Sequence, residues 1–446
     1  MPREICPECN QKDTSWNWCK PCNSKHFQND FNKWTSGNEK IDKLIQDAQL
    51  NANRRWEVIE WIPYDRFKDV KQIGKGGFGT IHYARWIDGS IREWDIENQQ
   101  WKRYKDEVED EEEVGEVEVA LKKFDNFVNF NDILNEMKIH LKTNNRVISI
   151  RFYGITQDPE THSYMMVLEY ASDGNLREYL KINFNNINWN QKLHNLYNSS
   201  LMLMRIHKLD IVHQDFHPGN ILSLNFKGNL LISDFGLSKL IGANPNNSEK
   251  KNIVGVLPYI APEVLSGDEE YTKAADVYSF GVIAYEIVTG FPPYPDIPHN
   301  KDLAMKICNG LRPKISFHIP KLITRMIMRC WDARVTHRPT FEELNDELDK
   351  YDDDYDDYLK EGKNKDSEIV IQIKKAEEFS ANQESNNAIT TTPLNYQTHP
   401  QAIYTSRLLN YSKLPKPKNE ENFEKKLEEL TKSMSNLCPS NSDLFI

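Results

Sequence analysis

The sequence has no apolar run long enough to cross a bilayer. A helical span needs about 20 residues; the best candidate, Phe280 to Val288, is far shorter and carries Glu286. The opening residues, Met-Pro-Arg-Glu-Ile-Cys, have no apolar stretch behind their charges, so no secretory leader is expected. A basic excess is also missing. Lys and Arg number 56 against 67 Asp and Glu, for a net charge of −11 and a pI of about 5.7. Such a surface repels nucleic-acid phosphates and anionic lipid, so neither nucleic acid nor membrane is an expected partner. Cysteine is sparse and odd in number: seven in 446 residues, four of them between positions 6 and 22. This is no secreted disulfide framework; it fits an intracellular chain, cytoplasmic ahead of nuclear, with a metal site. Hydrophobic residues at 39 % and aromatics at 11 % exclude a fully disordered chain.

What is present begins with those cysteines. Cys6-Pro-Glu-Cys9 and Cys19-Lys-Pro-Cys22 form two Cys-x-x-Cys knuckles, which can set four thiolates around one structural zinc ion. Redox-active pairs or free thiols are the alternative. The knuckle defines a zinc-ribbon-like module over 1–35, in which Trp16 and Trp18 are expected to cover the small core. A helix and linker follow over 36–66. Ser36-Gly-Asn-Glu39 fits a capping box, and Ile41, Leu44, Ile45, Ala48 and Ala52 recur on one helical face. Residues 1–60 carry nine bases and nine acids. With no basic stripe, a purely structural or protein-docking role is favoured over nucleic-acid binding for this module.

Residues 67–122 read as strands around a glycine loop, interrupted by an insertion at 88–118 with 13 acids and four bases. Trp94, Ile96, Trp101 and Tyr104 in its first half, with Asp88-Gly89 as turn, predict a hairpin; the second half reads as a solvated acidic loop. A helix is predicted from Phe124 to Leu141, then strands near 150–153 and 163–170. Beyond Gly174-Asn175 the chain reads as mainly helical, with loops at 213–222 and 234–263. The globular part is predicted to end near Tyr351, before the acidic run Asp352–Asp357. The segment 351–446 is polar and is expected to be mostly disordered. Phe423, Leu427, Leu430 and Met434 can form one short amphipathic helix within it.

The residues that carry chemistry come in one order. Gly74-Lys75-Gly76-Gly77-Phe78-Gly79-Thr80-Ile81 is a glycine loop followed by β-branched and aromatic residues. A strand follows it, not the helix that a dinucleotide site requires. A strand–loop–strand hairpin lets backbone amides close over a triphosphate. Val119-Ala120-Leu121-Lys122 ends an apolar strand with a point charge for phosphate, and Glu136 on the next helix can hold that ammonium. His213-Gln214-Asp215-Phe216-His217-Pro218-Gly219-Asn220-Ile221-Leu222 places Asp215 and Asn220 in one short loop. Asp234-Phe235-Gly236 follows the strand 230–232. Asn220 and Asp234 offer the hard oxygen ligands that suit magnesium. Gly255-Val256-Leu257-Pro258-Tyr259-Ile260-Ala261-Pro262-Glu263, Asp276, Gly281 and Arg338 complete the series.

This ordered set resembles the eukaryotic protein kinases over roughly residues 67–350. Cys330-Trp331 and Arg338-Pro339-Thr340-Phe341 are similar to the tyrosine-kinase-like group. The knuckle before the kinase region is similar to expanded fungal kinase families, a likeness that extends to the tail near Thr398–Leu409. The resemblance implies an α+β, two-lobed kinase fold, β-rich then helical, that uses ATP and magnesium to phosphorylate protein substrates. It assigns Ile73, Ile81, Ala120 and Leu222 to the adenine, Leu168 to the gatekeeper, and Glu169 to Ala171 to the hinge. It gives residues 74–81 and Lys122 to the phosphates, Glu136 to Lys122, and Asn220 and Asp234 to magnesium. Asp215 would take the substrate hydroxyl's proton. Glu263 would pair with Arg338, and Asp276 would brace the catalytic loop. Protein docking is expected through the zinc module or the acidic insertion.

Three positions depart from the family pattern. Gln214 replaces the arginine that usually receives an activation-segment phosphate, and a neutral amide cannot pair with phosphate as guanidinium does. Apart from Tyr259, the segment 234–263 carries only Ser238 and Ser248 as hydroxyl residues. Activity independent of activation-segment phosphorylation is therefore expected. His217 stands where serine/threonine kinases carry lysine, and Val256 where they carry Thr or Ser. His217 can donate to phosphate or merely fill the loop. An active kinase, with serine/threonine specificity, is the leading expectation; a pseudokinase scaffold is the alternative.

Overall fold

Alternating burial along Val117–Phe124 turns Val119 and Leu121 into a core, and each such side chain contributes about 1.5–3 kcal/mol on leaving water. The computed structural model describes residues 5–15, 17–77, 79–104, 116–125, 129–144, 148–226, 228, 230–240, 253–385 and 398–435. The chain divides into two units: Met1–Ser172 with Leu231–Gly236, and Asp173–Leu230 with Leu237–Ile446.

The first unit carries β1 (Glu60–Trp61), β2 (Phe67–Lys75), β3 (Gly79–Trp86), β4 (Ser90–Asp95), β5 (Gln100–Tyr104), β6 (Val117–Phe124), β7 (Phe152–Gln157) and β8 (Tyr164–Glu169). Six of these form one sheet in the order β1-β7-β8-β6-β3-β2. Only β1–β7 is parallel. Trp86, Val119, Leu121, Met165 and Val167 share its core. Helix α1 (Lys20–Asp30) follows the knuckle, and α2 (Glu39–Asn51) buries Ile41 and Ile45 as the helical spacing predicts. The cap of α2 differs from expectation. Asn38, not Ser36, accepts from the Lys40 amide, while the Ser36 hydroxyl turns to Asp42. Helix α3 (Phe130–Thr143) starts later than predicted, because Phe124 ends β6 and Asn129 supplies the cap.

The insertion begins as the predicted hairpin, β4 antiparallel to β5. Its turn is residues 96–99, however; Asp88-Gly89 lies before β4, where Arg66 donates to Asp88. The hairpin is not a free flag. Trp101 stacks on Phe27 at 4.4 Å and Trp94 on His26 at 3.9 Å. Trp18, Phe27, Ala52, Val58 and Ile91 pack together beside it. Knuckle and hairpin therefore share one aromatic core. The acidic loop lies outside the described residues except for 116–118, as do Trp16 and Ser248.

The second unit holds α4 (Leu176–Asn183), α5 (Trp189–Lys208), β9 (Ile211–Val212) and β10 (Ile221–Ser223). The unit boundary runs through β11 (Leu230–Ile232). Then come β12 (Lys239–Leu240), β13 (Ile253–Gly255), α6 (Pro262–Ser266), α7 (Lys273–Thr289), α8 (Lys301–Cys308), α9 (Lys321–Cys330) and α10 (Phe341–Glu361). Helix α7 is buried on every side from Ala275 to Val288, which makes it the centre of this unit. No described helix is long and apolar enough to cross a membrane.

The expected mostly disordered segment from 351 needs correction. Helix α10 runs on to Glu361 and buries Tyr351 and Tyr355. Then α11 (Glu368–Ser385) buries Ile369, Val370 and Ile373. The described tail holds β14 (Arg407–Leu409) and α12 (Phe423–Ser435), the predicted amphipathic helix with Phe423 buried. Low apolar content misled because the few apolar residues, Ile369, Val370, Ile373, Leu409 and Phe423, are buried and hydrogen bonds add to their hold. The Ala333 amide donates to Asn419 at 2.7 Å, Asn419 donates to Asp332 at 2.8 Å, and the Lys418 amide donates to the Cys308 carbonyl at 2.9 Å.

Candidate active site

In the first unit the antiparallel hairpin β2–β3 carries the glycine loop. Gly74 faces Ile81, and Ile81 faces Lys122 across β3–β6. A side chain at Gly79 would meet the Lys123 carbonyl oxygen at 2.0 Å, so packing demands glycine there. At Gly74 and Gly76 the nearest heavy atoms stand at 3.8 and 3.9 Å, so packing within the chain does not demand it. Their bareness instead suits a ligand approaching the backbone. Thr80 lies beside them on β3, and Lys75 at the end of β2. Phe78 lies outside the described residues. Ile73 is 46 % exposed, a large apolar side chain without cover. Ile81 and Ala120 are half-buried on the neighbouring strands.

The buried Lys122 ammonium donates to Glu136 Oε1 at 2.5 Å and to Asp234 Oδ1 at 2.8 Å. Burial opposes its charge, but Asp234 and Glu136 outweigh it and hold the pKa above lysine's ordinary range. Burial pushes the Glu136 carboxyl up to about 7, with Lys122 pulling the other way. Phe235 edges onto His140 of α3 at 4.8 Å, which fixes the Asp234-Phe235-Gly236 backbone beside Glu136. At the end of β8, Leu168 is buried opposite Ala120. The Glu169 amide donates to the Arg151 carbonyl at 2.9 Å, and Ala171 follows half-buried.

In the second unit the loop 213–222 is fixed from behind. Asp276 accepts from the His213 amide at 2.8 Å and the Gln214 amide at 3.1 Å. Gln214 adopts φ 68° to allow this. Asn220 Nδ2 donates to the Asp215 carbonyl at 2.9 Å, so Asp215 and Asn220 are one unit of geometry. His217 Nδ1 accepts from the Gly219 amide at 3.0 Å. An accepting Nδ1 places the ring proton of neutral His217 on Nε2. That edge stands 3.7 Å from Asp215 Oδ1. Leu222 is half-buried on β10. Arg338 donates twice to Glu263, each bond 2.7 Å, both residues buried.

Sequence reading missed a residue whose hydroxyl bonds the Asp215 carboxylate. Ser406 Oγ donates to Asp215 Oδ2 at 2.5 Å, and His217 Nε2 is 3.3 Å from the same hydroxyl. The one signal available was the expected family likeness of the tail near Thr398–Leu409, which named a segment and no contact.

The four knuckle thiols also converge. The sulfurs of Cys6, Cys9, Cys19 and Cys22 all lie within 4.8 Å of one another, with Cys6–Cys22 at 3.8 Å and Cys9–Cys19 at 3.6 Å. Tetrahedral zinc with bonds of about 2.3 Å needs sulfurs about 3.8 Å apart. The donor set is compatible with zinc. None of the four is in a disulfide.

The sequence model of protein tyrosine and serine/threonine kinases matches residues 67–348, and the chain belongs to that family. Its sheet unit and helical unit are the β-rich and helical lobes of a kinase domain. It is 30 % identical to tyrosine-protein kinase SPK-1 of Girardia tigrina, over 63 % of this chain and 52 % of that protein. It is 30 % identical to the probable serine/threonine-protein kinase gdt8 of Dictyostelium discoideum, over 60 % and 19 %. A putative serine/threonine-protein kinase/receptor of Acanthamoeba polyphaga mimivirus is 28 % identical over 67 % and 16 %. The chain thus aligns with about half of one relative's length and under a fifth of the other two.

Proposed function

We propose that this chain is an active protein kinase that transfers the γ-phosphoryl group of ATP to serine or threonine hydroxyls of intracellular proteins. The observation that carries this is Lys122, buried and charged between Glu136 and Asp234. A buried ammonium held by two carboxylates is costly unless it serves, and a lysine so fixed is ready for the α/β-phosphates of ATP. Ile73, Ile81, Ala120 and Leu222 are the apolar residues assigned to adenine, and the glycine loop to the phosphates. Kinase domains use ATP with Mg2+; Asn220 and Asp234 are the residues that would hold the ion, which neutralises phosphate charge when bound. Asp215 accepts the acceptor hydroxyl's proton, and His217 Nε2–H orients that hydroxyl. This gives His217 a task that does not require lysine.

Serine/threonine specificity rests on the likeness to the tyrosine-kinase-like group at Cys330-Trp331 and Arg338–Phe341. The departures at Gln214, His217 and Val256 favour the second reading, a scaffold that binds without efficient catalysis. Incubation with ATP, magnesium and a generic protein acceptor, followed by phosphoamino-acid analysis, separates the two. Phosphoserine or phosphothreonine, reduced at least about 100-fold in Asp215→Asn, is expected from loss of the base. Equal incorporation by both proteins, or none by either, favours the scaffold; phosphotyrosine alone overturns the specificity.

We propose zinc as the knuckle's ion, with Cys6, Cys9, Cys19 and Cys22 as ligands and a structural role, since four thiolates leave no open position for chemistry. Four uncrosslinked thiols also suit a reducing, intracellular compartment. The knuckle–hairpin surface is the part we assign to docking of partner proteins.

A further inference from the structure

Within the helical lobe, the chain's own tail lies along the loop that carries Asp215. Strand β14 pairs antiparallel with β13, with Gly255 opposite Arg407, Val254 opposite Leu408 and Ile253 opposite Leu409. Addition of a strand to an exposed edge is a common mode of peptide recognition, in which alternate side chains find pockets. The tail shows that alternation: Leu408 is half exposed, while Leu409 is buried among Leu257, Ile260, Leu303 and Ile307. Residues before Ser406 are held as firmly. Arg177 Nη1 donates to the Tyr404 carbonyl at 2.8 Å, the Tyr404 hydroxyl donates to the Pro293 carbonyl at 2.9 Å, and His299 Nδ1 meets the Ile403 carbonyl at 2.9 Å. Arg407 donates to the His299 carbonyl. Between these anchors, the Ser406 hydroxyl points at Asp215 Oδ2 at 2.5 Å, with His217 Nε2 on its other side at 3.3 Å.

A hydroxyl within hydrogen-bond reach of a carboxylate base, on a clamped extended strand, is an acceptor in position. We propose that Ser406 is a phosphoacceptor of its own chain: the tail docks as a tethered substrate strand and the kinase phosphorylates it intramolecularly. The inference rests on the kinase reading above. In the step, Ser406 Oγ forms a bond to the γ-phosphorus of ATP, and the bond between that phosphorus and the β–γ bridging oxygen breaks. The electron pair leaves with ADP, and the hydroxyl proton passes to Asp215 Oδ2 and then to solvent. The product sets a phosphate of nearly two negative charges against the Asp215 carboxylate. Like-charge repulsion expels the strand. The unphosphorylated tail therefore blocks outside acceptors, and the phosphorylated tail vacates the loop.

The test uses the full chain with γ-labelled ATP and magnesium, with phosphosites mapped to the residue. Label on Ser406 is expected to approach one per chain, at a rate per molecule that stays constant over a 100-fold range of protein concentration. It should fall at least about 100-fold in Asp215→Asn. Ser406→Glu mimics the expelled state and is expected to phosphorylate dephosphorylated casein several-fold faster than Ser406→Ala, which keeps the other anchors and cannot be released. Label only on Thr405, Thr398 or sites elsewhere overturns the proposal, as does a rate rising with protein concentration or equal casein activity in the two variants. Casein phosphorylation without Ser406 label sinks this inference and leaves the kinase reading standing. No label on either acceptor sinks the kinase reading itself.

Discussion

Arg338 and Glu263 lie 75 positions apart, yet both are buried and joined by two parallel bonds. Removing one partner strands a charge in the interior, so Arg338→Ala should cost about 3–5 kcal/mol in urea unfolding. Replacing both by apolar residues of similar volume, Glu263→Leu with Arg338→Met, should recover most of that loss; a double variant as unstable as the single would contradict the account. This pair was legible in sequence only through the family resemblance, because nothing local to either residue names the other. Lys122, Asp215, Asn220 and Asp234 were legible as candidates because phosphate chemistry favours a lysine on a strand and oxygen-bearing residues in nearby loops, and the structure joins Lys122 to Asp234 and Asn220 to Asp215. Ser406 was not, for its partner lies 191 positions away and serine is chemically common. His217 was half legible: its ring was seen as a donor, but only the Gly219 amide on Nδ1 decides which nitrogen carries the proton.

Among elements, α10 shows how a charge run misleads. The run at 352–357 marked an end to the eye, but Leu344, Leu348, Tyr351 and Tyr355 continue the i+3/i+4 spacing through it, and all four are buried. The acids occupy the other faces. One of them, Asp352, meets His194 of α5 at 3.2 Å. Its hydrogen bond raises the His194 pKa, with Asp352 and Asp356 charge adding to the effect. A histidine raised in the folded state binds its proton more tightly there than when unfolded. The added stability is complete below the ordinary value of about 6.5 and disappears as pH climbs through the raised one. Asp352→Asn should bring the NMR titration of His194 back toward 6.5 and make stability fall less between pH 6 and 8. An unchanged titration would rule the pair out. Helix α2 was legible from periodicity and β2, β3, β6 and β8 from their β-branched and apolar runs, but β1 fell in the expected helix and linker and β7 runs Phe152–Gln157 rather than near 150–153. The caps at Asn38 and Asn129 were settled by a side chain choosing among several nearby amides.

For the whole molecule, the acidity resolves into places. Residues 88–118 carry a net −9 and residues 349–358 a net −5, which leaves the remainder of the chain at +3. The insertion also ceases to be an independent appendage, because its hairpin shares aromatic packing with the knuckle. Metal and hairpin should then be lost together. Chelation is expected to release about one zinc per chain, change the tryptophan fluorescence of Trp94 and Trp101, and open 90–104 to protease. Purified protein without bound zinc, or a hairpin indifferent to chelator, would contradict this. The β13–β14 pair has a kinetic consequence. A tethered strand is present at an effective concentration on the order of millimolar, however dilute the protein. Under the proposal that the tail is a tethered substrate, an outside acceptor contends with that fixed competitor, so the tail should multiply its apparent KM while leaving kcat at saturation untouched. Sensitivity to substrates would then be set by a length of the chain itself, and one phosphate on Ser406 would reset it.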